Sequence, residues 1–217
     1  MASGGFVTLE GPDGAGKSSQ AERIAARLRE HRLAVLVTRE PGGTALGEQI
    51  RRLLLESTVE ARDPLADALL FNAARRQLVE EVIRPALERG EWVVCDRFAD
   101  STLAYQGFGA GVPLAQLEAL AQIAMGGLRP DRTVLFDLPP EVGLRRRAGG
   151  AVSDLTRFES ADQHDLAFHE RVRRGYLALA AEDRERWRVI DASRAPDAVA
   201  ADVWAAIADL LGNAGAR

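Results

Sequence analysis

Lysine is almost missing from this 217-residue chain: Lys17 stands alone, and the other 27 basic residues are arginines. Cysteine is as scarce. Cys95 has no second thiol with which to close an internal disulfide or share a metal site. Its place in the apolar run Trp92-Val93-Val94-Cys95 predicts a small buried core residue. No apolar run approaches the roughly 18 residues that a membrane span requires. The opening residues, Met1-Ala2-Ser3-Gly4-Gly5, lack the basic region and apolar stretch of a secretion signal. The expectation is a cytoplasmic protein with no membrane partner. An excess of positive charge is lacking too. The formal net charge is −4, so the chain as a whole is no electrostatic match for nucleic acid. Any recognition of phosphate has to come from a local site.

Apolar residues (47%) and charged residues (28%) occur in the proportions of a globular protein rather than a disordered one. The length suits one domain over residues 1–217. Short apolar segments read as strands at 6–9, 33–37, 92–95, 133–136 and 188–190. Apolar residues at helical spacing place helices at 18–30, 45–56, 64–88 (bent near Pro85), 113–125, 141–147, 162–183 and 196–211. Alternating buried strands and helices predict an α/β fold, a parallel sheet covered on both faces. The segments at 39–60 and 145–160 are the expected mobile parts.

One motif matches in full. Gly11-Pro12-Asp13-Gly14-Ala15-Gly16-Lys17-Ser18, followed by Ser19, has the G-x-x-x-x-G-K-[ST] pattern between a strand and a helix. Glycines let backbone N–H groups turn inward around phosphate oxygens. The helix that follows adds its positive N-terminal end. Lys17 is placed to reach the β- and γ-phosphates of a bound nucleotide, and the Ser18 hydroxyl to meet Mg²⁺. The lone lysine of the chain therefore falls where such a loop needs an ammonium group.

Beyond the loop, charged residues gather at strand ends, where open α/β sheets bind ligands. Thr38-Arg39-Glu40-Pro41-Gly42-Gly43 follows the second strand and Asp96-Arg97-Phe98 the third. Two arginine forks suit a second phosphate group. Asp96 ends an apolar strand as a magnesium-holding acid does, and Asp137 competes for that role from the fourth strand. Phe71 and Arg75, four apart on one helical face, pair a flat ring with a fork-shaped donor. His31, His164 and His169 show no metal-ligand spacing.

These residues, with Ser101-Thr102-Leu103-Ala104-Tyr105-Gln106-Gly107 and the late helix Arg171-Val172-Arg173-Arg174-Gly175-Tyr176-Leu177-Ala178-Leu179-Ala180, resemble bacterial thymidylate kinases over almost the whole chain. The resemblance implies a five-stranded parallel sheet of the P-loop NTPase type, a homodimer, and Mg²⁺-dependent transfer from ATP to dTMP. It implies that Phe71 stacks on thymine and Arg75 bonds its carbonyl. Thr102 or Ser101 meets the base edge, near Gln106, and Tyr105 crowds the sugar 2′ position. Asp13 reaches the acceptor's sugar or phosphate region, and Arg39 and Arg97 hold the acceptor phosphate.

The family keeps a catalytic arginine either in the P-loop or in a mobile lid. Gly14 stands at the P-loop position here, so the lid, about 145–160, is expected to supply it. Its candidates are Arg145, Arg146, Arg147 and Arg157. Arg147 and Arg157 are both retained for catalysis and Arg146 for ATP binding. Residues 148–152 and Thr156 depart from the family's usual lid. Two rival readings stay open: another nucleoside monophosphate kinase, and a nucleotide-binding switch. The switch lacks the lysine that a guanine-reading motif needs.

Overall fold

The computed structural model describes residues 4–56, 62–148 and 166–213; the side chains of 147, 148, 212 and 213 fall outside that description. Five strands form one wholly parallel sheet: β1 (Phe6–Glu10), β2 (Val35–Arg39), β3 (Trp92–Asp96), β4 (Arg132–Asp137) and β5 (Trp187–Asp191). Their spatial order is β2-β3-β1-β4-β5. From β1 the chain crosses to the far edge at β2. From β3 it passes back over β1 to β4. Winding therefore reverses between the neighbours β3 and β1, the kind of place where parallel sheets take ligands.

Side chains alternate between the two faces along each strand, and the core divides accordingly. Val7, Leu9, Trp92, Val94, Val134 and Phe136 face α1 (Lys17–Glu30) and the closing helix, labelled α9 (Pro196–Asn213). Phe6, Val93, Cys95 and Leu135 face the other way. That face is covered by α3 (Pro64–Leu78), α4 (Arg84–Glu88) and α8 (Leu166–Glu182). Burial on both sides is why these strands read as continuous apolar runs. Cys95 is fully buried, as its surroundings in the sequence predict.

Helix starts follow from local chemistry. Thr44 accepts the Gly47 N–H and begins α2 (Ala45–Leu55). Asp63 accepts the Leu65 and Ala66 N–H groups and begins α3, with Pro64 at the first helical position. Half of the 39–60 segment expected to be mobile is this regular α2, whose Ile50 and Leu54 pack with Ala74; residues 57–61 lie outside the described residues.

The long helix expected over 64–88 is interrupted rather than bent at its proline. Residues Val79–Ile83 form a wider π turn. Pro85 has no N–H to give to the preceding turn and its ring crowds that turn's carbonyl, and the loosened winding accommodates both. A second π turn, Leu103–Gly109, follows the short helix α5 (Ala99–Thr102). Helix α6 (Leu114–Met125) and helix α7 (Pro140–Ala148) complete the set. Of the lid expected at 145–160, residues 145–148 end α7 and the rest lies outside the described residues.

Leu28 is wholly buried where α1 packs on the sheet. Leu28→Ala is expected to lower the unfolding free energy by about 2–5 kcal/mol, read from urea denaturation. An unchanged midpoint would mean that α1 does not anchor this face.

Candidate functional site

Register decides which side chains meet. In the β1–β3 pairing Leu9 lies opposite Asp96, and in the β2–β3 pairing Arg39 does. The ends of three strands therefore stand level, with the glycine-rich loop rising from β1, beside β3. A cleft of about 670 Å³ opens there, lined by Asp13, Gly14, Gly16, Lys17, Ser18 and Ser19 on the loop side. Arg39, Arg51, Phe71, Arg75, Arg97, Ser101, Thr102, Tyr105 and Gln106 line the opposite side, and Arg146 also reaches the cleft.

The loop is shaped by backbone that only glycine adopts easily. Gly14 has φ 74°, and a Cβ there would meet the Gly143 carbonyl oxygen of α7 at 2.3 Å. That approach explains in space why this chain has no side chain, and no arginine, at position 14. Lys17 folds back so that Nζ donates to the carbonyls of Gly11 (3.0 Å) and Pro12 (2.9 Å). Burial pushes its ammonium down to about 8, and the neighbouring Arg97 charge adds to the shift. Ser18 Oγ donates to Asp96 Oδ2 at 2.5 Å. Asp137 is instead gripped by both ends of the Arg173 fork on α8, at 2.7 and 2.8 Å, and does not line the cleft.

Across the cleft, Arg97 sits at φ 68°, in the left-handed region that a bulky residue occupies only when its surroundings hold it there. Four hydrogen bonds do so. Nη2 donates to Asp13 Oδ1 (2.6 Å) and to the Tyr105 hydroxyl (3.2 Å). Nη1 donates to the hydroxyls of Ser101 (3.1 Å) and Tyr176 (3.2 Å). Tyr105 in turn donates to Asp13 Oδ2 at 2.8 Å. Arg39 is more open, paired with Glu48 at 3.1 Å with over half of its side chain exposed.

Arg75 is the opposite case. Its side chain is 1% exposed and its fork closes on Glu40, itself 4% exposed, at 2.7 Å. Further donations go to Asn72 Oδ1, the Phe98 carbonyl and Thr102 Oγ1. Burial raises the Glu40 carboxyl above its ordinary value, and the adjoining Arg75 charge pulls it back. Phe71, one turn earlier on α3, shares the same wall. Arg146 donates to the carbonyls of Ala192 and Ser193. Arg147 belongs to α7, but its side chain lies outside the described residues, as does all of Arg157.

The sequence reading gave no role to several residues that build this site. Glu10 is buried at the end of β1 and accepts from Phe98 N–H, Ser101 Oγ and Tyr176 Oη. Glu40, Asn72, Arg51 and Tyr176 were likewise passed over. For Glu10 a signal existed, since an acid closing an all-apolar central strand has to be satisfied somewhere. For Tyr176, 166 residues from Glu10 along the chain, there was none.

A family model described as thymidylate kinase matches residues 9–203. A thymidylate kinase of Thermomicrobium roseum is 54% identical over 206 residues, 95% of either chain. One from Deinococcus radiodurans is 52% identical over 209 residues, covering 96% of this chain and 98% of its own. The crystal structure of a thymidylate kinase from Ehrlichia chaffeensis aligns with a TM-score of 0.74 at 32% identity, covering 93% of this chain and 97% of that one.

Burial, with the Asp100 charge behind it, raises the Glu10 carboxyl from 4.5 to about 7. A carboxyl raised on folding holds its proton more tightly in the native state. Its contribution is therefore complete below pH 4.5 and is lost as pH rises through about 7. Relative to Glu10→Gln, the natural protein is expected to lose unfolding free energy steadily across that window. Parallel stability curves for the two proteins would overturn the assignment.

Proposed function

This chain belongs to the thymidylate kinase family, and from that premise we propose that it transfers the γ-phosphoryl group of ATP to dTMP, giving ADP and dTDP for DNA precursor synthesis. The observation that carries the reading is a single cleft with two unlike walls. A phosphate cradle with the chain's one lysine forms one wall. Arginines and an aromatic ring at strand ends form the other.

In this reading the backbone of residues 11–16, with Lys17, Ser18 and Ser19, cradles the donor phosphates. Arg146 flanks the donor side from α7. Arg39 and Arg97 take the acceptor phosphate in their forks. Phe71 stacks on the thymine, Arg75 meets its carbonyl, and Thr102, Ser101 and Gln106 border the base edge. Tyr105, fixed against Asp13, fills the space that a ribose 2′-hydroxyl needs.

An acceptor phosphate oxygen, already anionic, attacks the γ-phosphorus in line, and the bond to the ADP oxygen breaks. No strong base is required, so positioning and charge neutralisation do the catalytic work. Arg147 and Arg157 are the candidates for the arginine that meets the transferring group, as part of a lid about 145–160.

Mg²⁺ suits the residues present. Ser18 and Asp96 offer adjoining hard oxygens, and among the described residues no cluster of three or more acids, histidines or cysteines forms a cage. That matches an ion held mostly by phosphate and water. Ser18 and Asp96 would hold it, and its chemistry would be to neutralise phosphate charge.

A homodimer forms part of the proposal. Leu46 and Leu53 on α2, Leu69 on α3 and Ile123 on α6 are all at least 46% exposed, and these three helices pack side by side. Exposed apolar patches of this kind mark contact surfaces. Among the described residues no helix is long and apolar enough to cross a membrane. A cytoplasmic enzyme acting on small nucleotides, with neither nucleic acid nor membrane as partner, completes the reading.

The direct test is ADP formation with Mg·ATP and dTMP, dUMP, dCMP, dGMP or no acceptor. Strong preference for dTMP is expected. Equal rates with and without acceptor would turn the reading to a slow hydrolase or switch. Phe71→Ala is expected to raise the dTMP KM by the worth of one stacked base, about 1–3 kcal/mol. Lys17→Met is expected to lower kcat by about 10²–10³, the cost of removing one preorganised charge-stabilising donor.

A further inference from the structure

Arg97 is held from behind by Ser101, at the edge of the cleft, and by Tyr176, which lines no part of it. Its Nη1 reaches Ser101 Oγ and Tyr176 Oη. These two hydroxyls are 2.8 Å apart. Both meet the same carboxylate oxygen, Glu10 Oε2, at 2.6 and 3.1 Å. The other oxygen, Oε1, takes the backbone N–H of Phe98, the residue after Arg97, at 2.8 Å. One carboxylate therefore grips both the peptide that follows Arg97 and the hydroxyls that receive its guanidinium.

The charge balance fits this arrangement. Burial disfavours the Arg97 cation, and the surrounding Tyr105 and Tyr176 hydroxyls with the Asp13 and Asp96 carboxylates outweigh it. Asp100, whose negative charge faces Glu10, is itself gripped by Arg186 at 2.6 and 3.1 Å. Tyr176 is wholly buried and packs edge-on to Tyr105, with ring centroids 6.3 Å apart. Its hydroxyl ties Nη1 to α8, an element far from Arg97 along the chain.

We propose that Glu10 and Tyr176 are positioning residues for Arg97, fixing the direction in which its guanidinium faces the acceptor phosphate. Neither touches the cleft; both act through Arg97. With Asp13 and Tyr105 holding Nη2 from the cleft side and Ser101 and Tyr176 holding Nη1 from behind, the fork is fixed at both terminal nitrogens. Its Nε–H has no partner among the described residues and remains for the ligand. Because Arg97 is bulky and left-handed in φ, it relaxes when the rear tie is cut. The acceptor phosphate then pays the ordering cost, and affinity for dTMP falls while the donor side is untouched.

The inference rests on the reading of Arg97 as an acceptor-phosphate ligand, and one set of kinetics separates the two. The proteins are the unaltered 217-residue chain, Tyr176→Phe, Arg97→Lys and the double variant, each assayed for ADP formation with dTMP varied at saturating Mg·ATP and then the reverse. Tyr176→Phe keeps the buried ring and removes one oxygen. Its dTMP KM is expected to rise about tenfold, the worth of one hydrogen bond to a charged group, with the ATP KM unchanged. The double variant is expected to be little worse than Arg97→Lys alone, since the main route of the hydroxyl to the substrate is through Arg97, with its bond to Ser101 the other.

Equal damage to both KM values, a loss of kcat alone, or additive losses in the double variant would overturn the proposal while leaving Arg97 in its role. An Arg97→Lys enzyme with the natural dTMP KM would overturn the role of Arg97 and the proposal with it. Glu10→Gln supplies the same test if Tyr176→Phe does not fold: its amide cannot accept all three donors, and the same selective rise in dTMP KM is expected.

Discussion

Glu10 closes the central strand with its carboxylate out of water, and three donors converge on it from different parts of the chain. An isolated buried carboxylate costs several kcal/mol. Here the turn after β3 and helix α8 offset that cost by delivering the Phe98 N–H, the Ser101 hydroxyl and the Tyr176 hydroxyl. The requirement works in both directions. If the turn moves, the buried carboxyl oxygens are left unsatisfied; if the carboxyl is removed, the turn loses its anchor. The left-handed Arg97 and the fork it presents to the cleft depend on this mutual hold.

The two arginine-bearing walls are built on different physical terms. Arg39 stands half in solvent beside Glu48, where an ion pair is screened and worth little, so it can exchange a carboxylate for a phosphate at small cost. Arg75 is sealed against Glu40, Asn72 and Thr102. Such a buried pair adds little net stability, but breaking it is expensive, which keeps the guanidinium in one orientation. A site that discriminates one flat base by its edge needs that rigidity. A site that binds a phosphate by charge needs it less; Arg97, tied front and rear, stands between the two.

Much of this was legible in the residues. The central strands β1, β3 and β4 were found because burial on both faces makes them short continuous apolar runs, and the phosphate loop because its glycines and lone lysine follow a fixed spacing. The π turns at Val79–Ile83 and Leu103–Gly109 were not. The first lies inside the run read as one helix over 64–88, where the extra residue per turn accommodates Pro85; the second falls where no helix was placed, and it packs on α8. Asp96 and Asp137 looked alike, each ending an apolar strand. They differ because Ser18 approaches one and Arg173 the other.

The sequence by itself determined the layered α/β architecture, the phosphate loop and the family, since these rest on local pattern and fixed spacing. It also placed Arg39, Arg97, Phe71 and Arg75 at strand ends and on one helix face. Only the tertiary structure decided which partner each charge has. The registers that set Leu9 and Arg39 beside Asp96, the closure of Arg75 on Glu40 and the reach of Tyr176 to Glu10 join residues far apart in the chain. Ionic and hydrogen-bonding partners are chosen by distance and burial after the sheet and helices have packed, and local pattern carries neither.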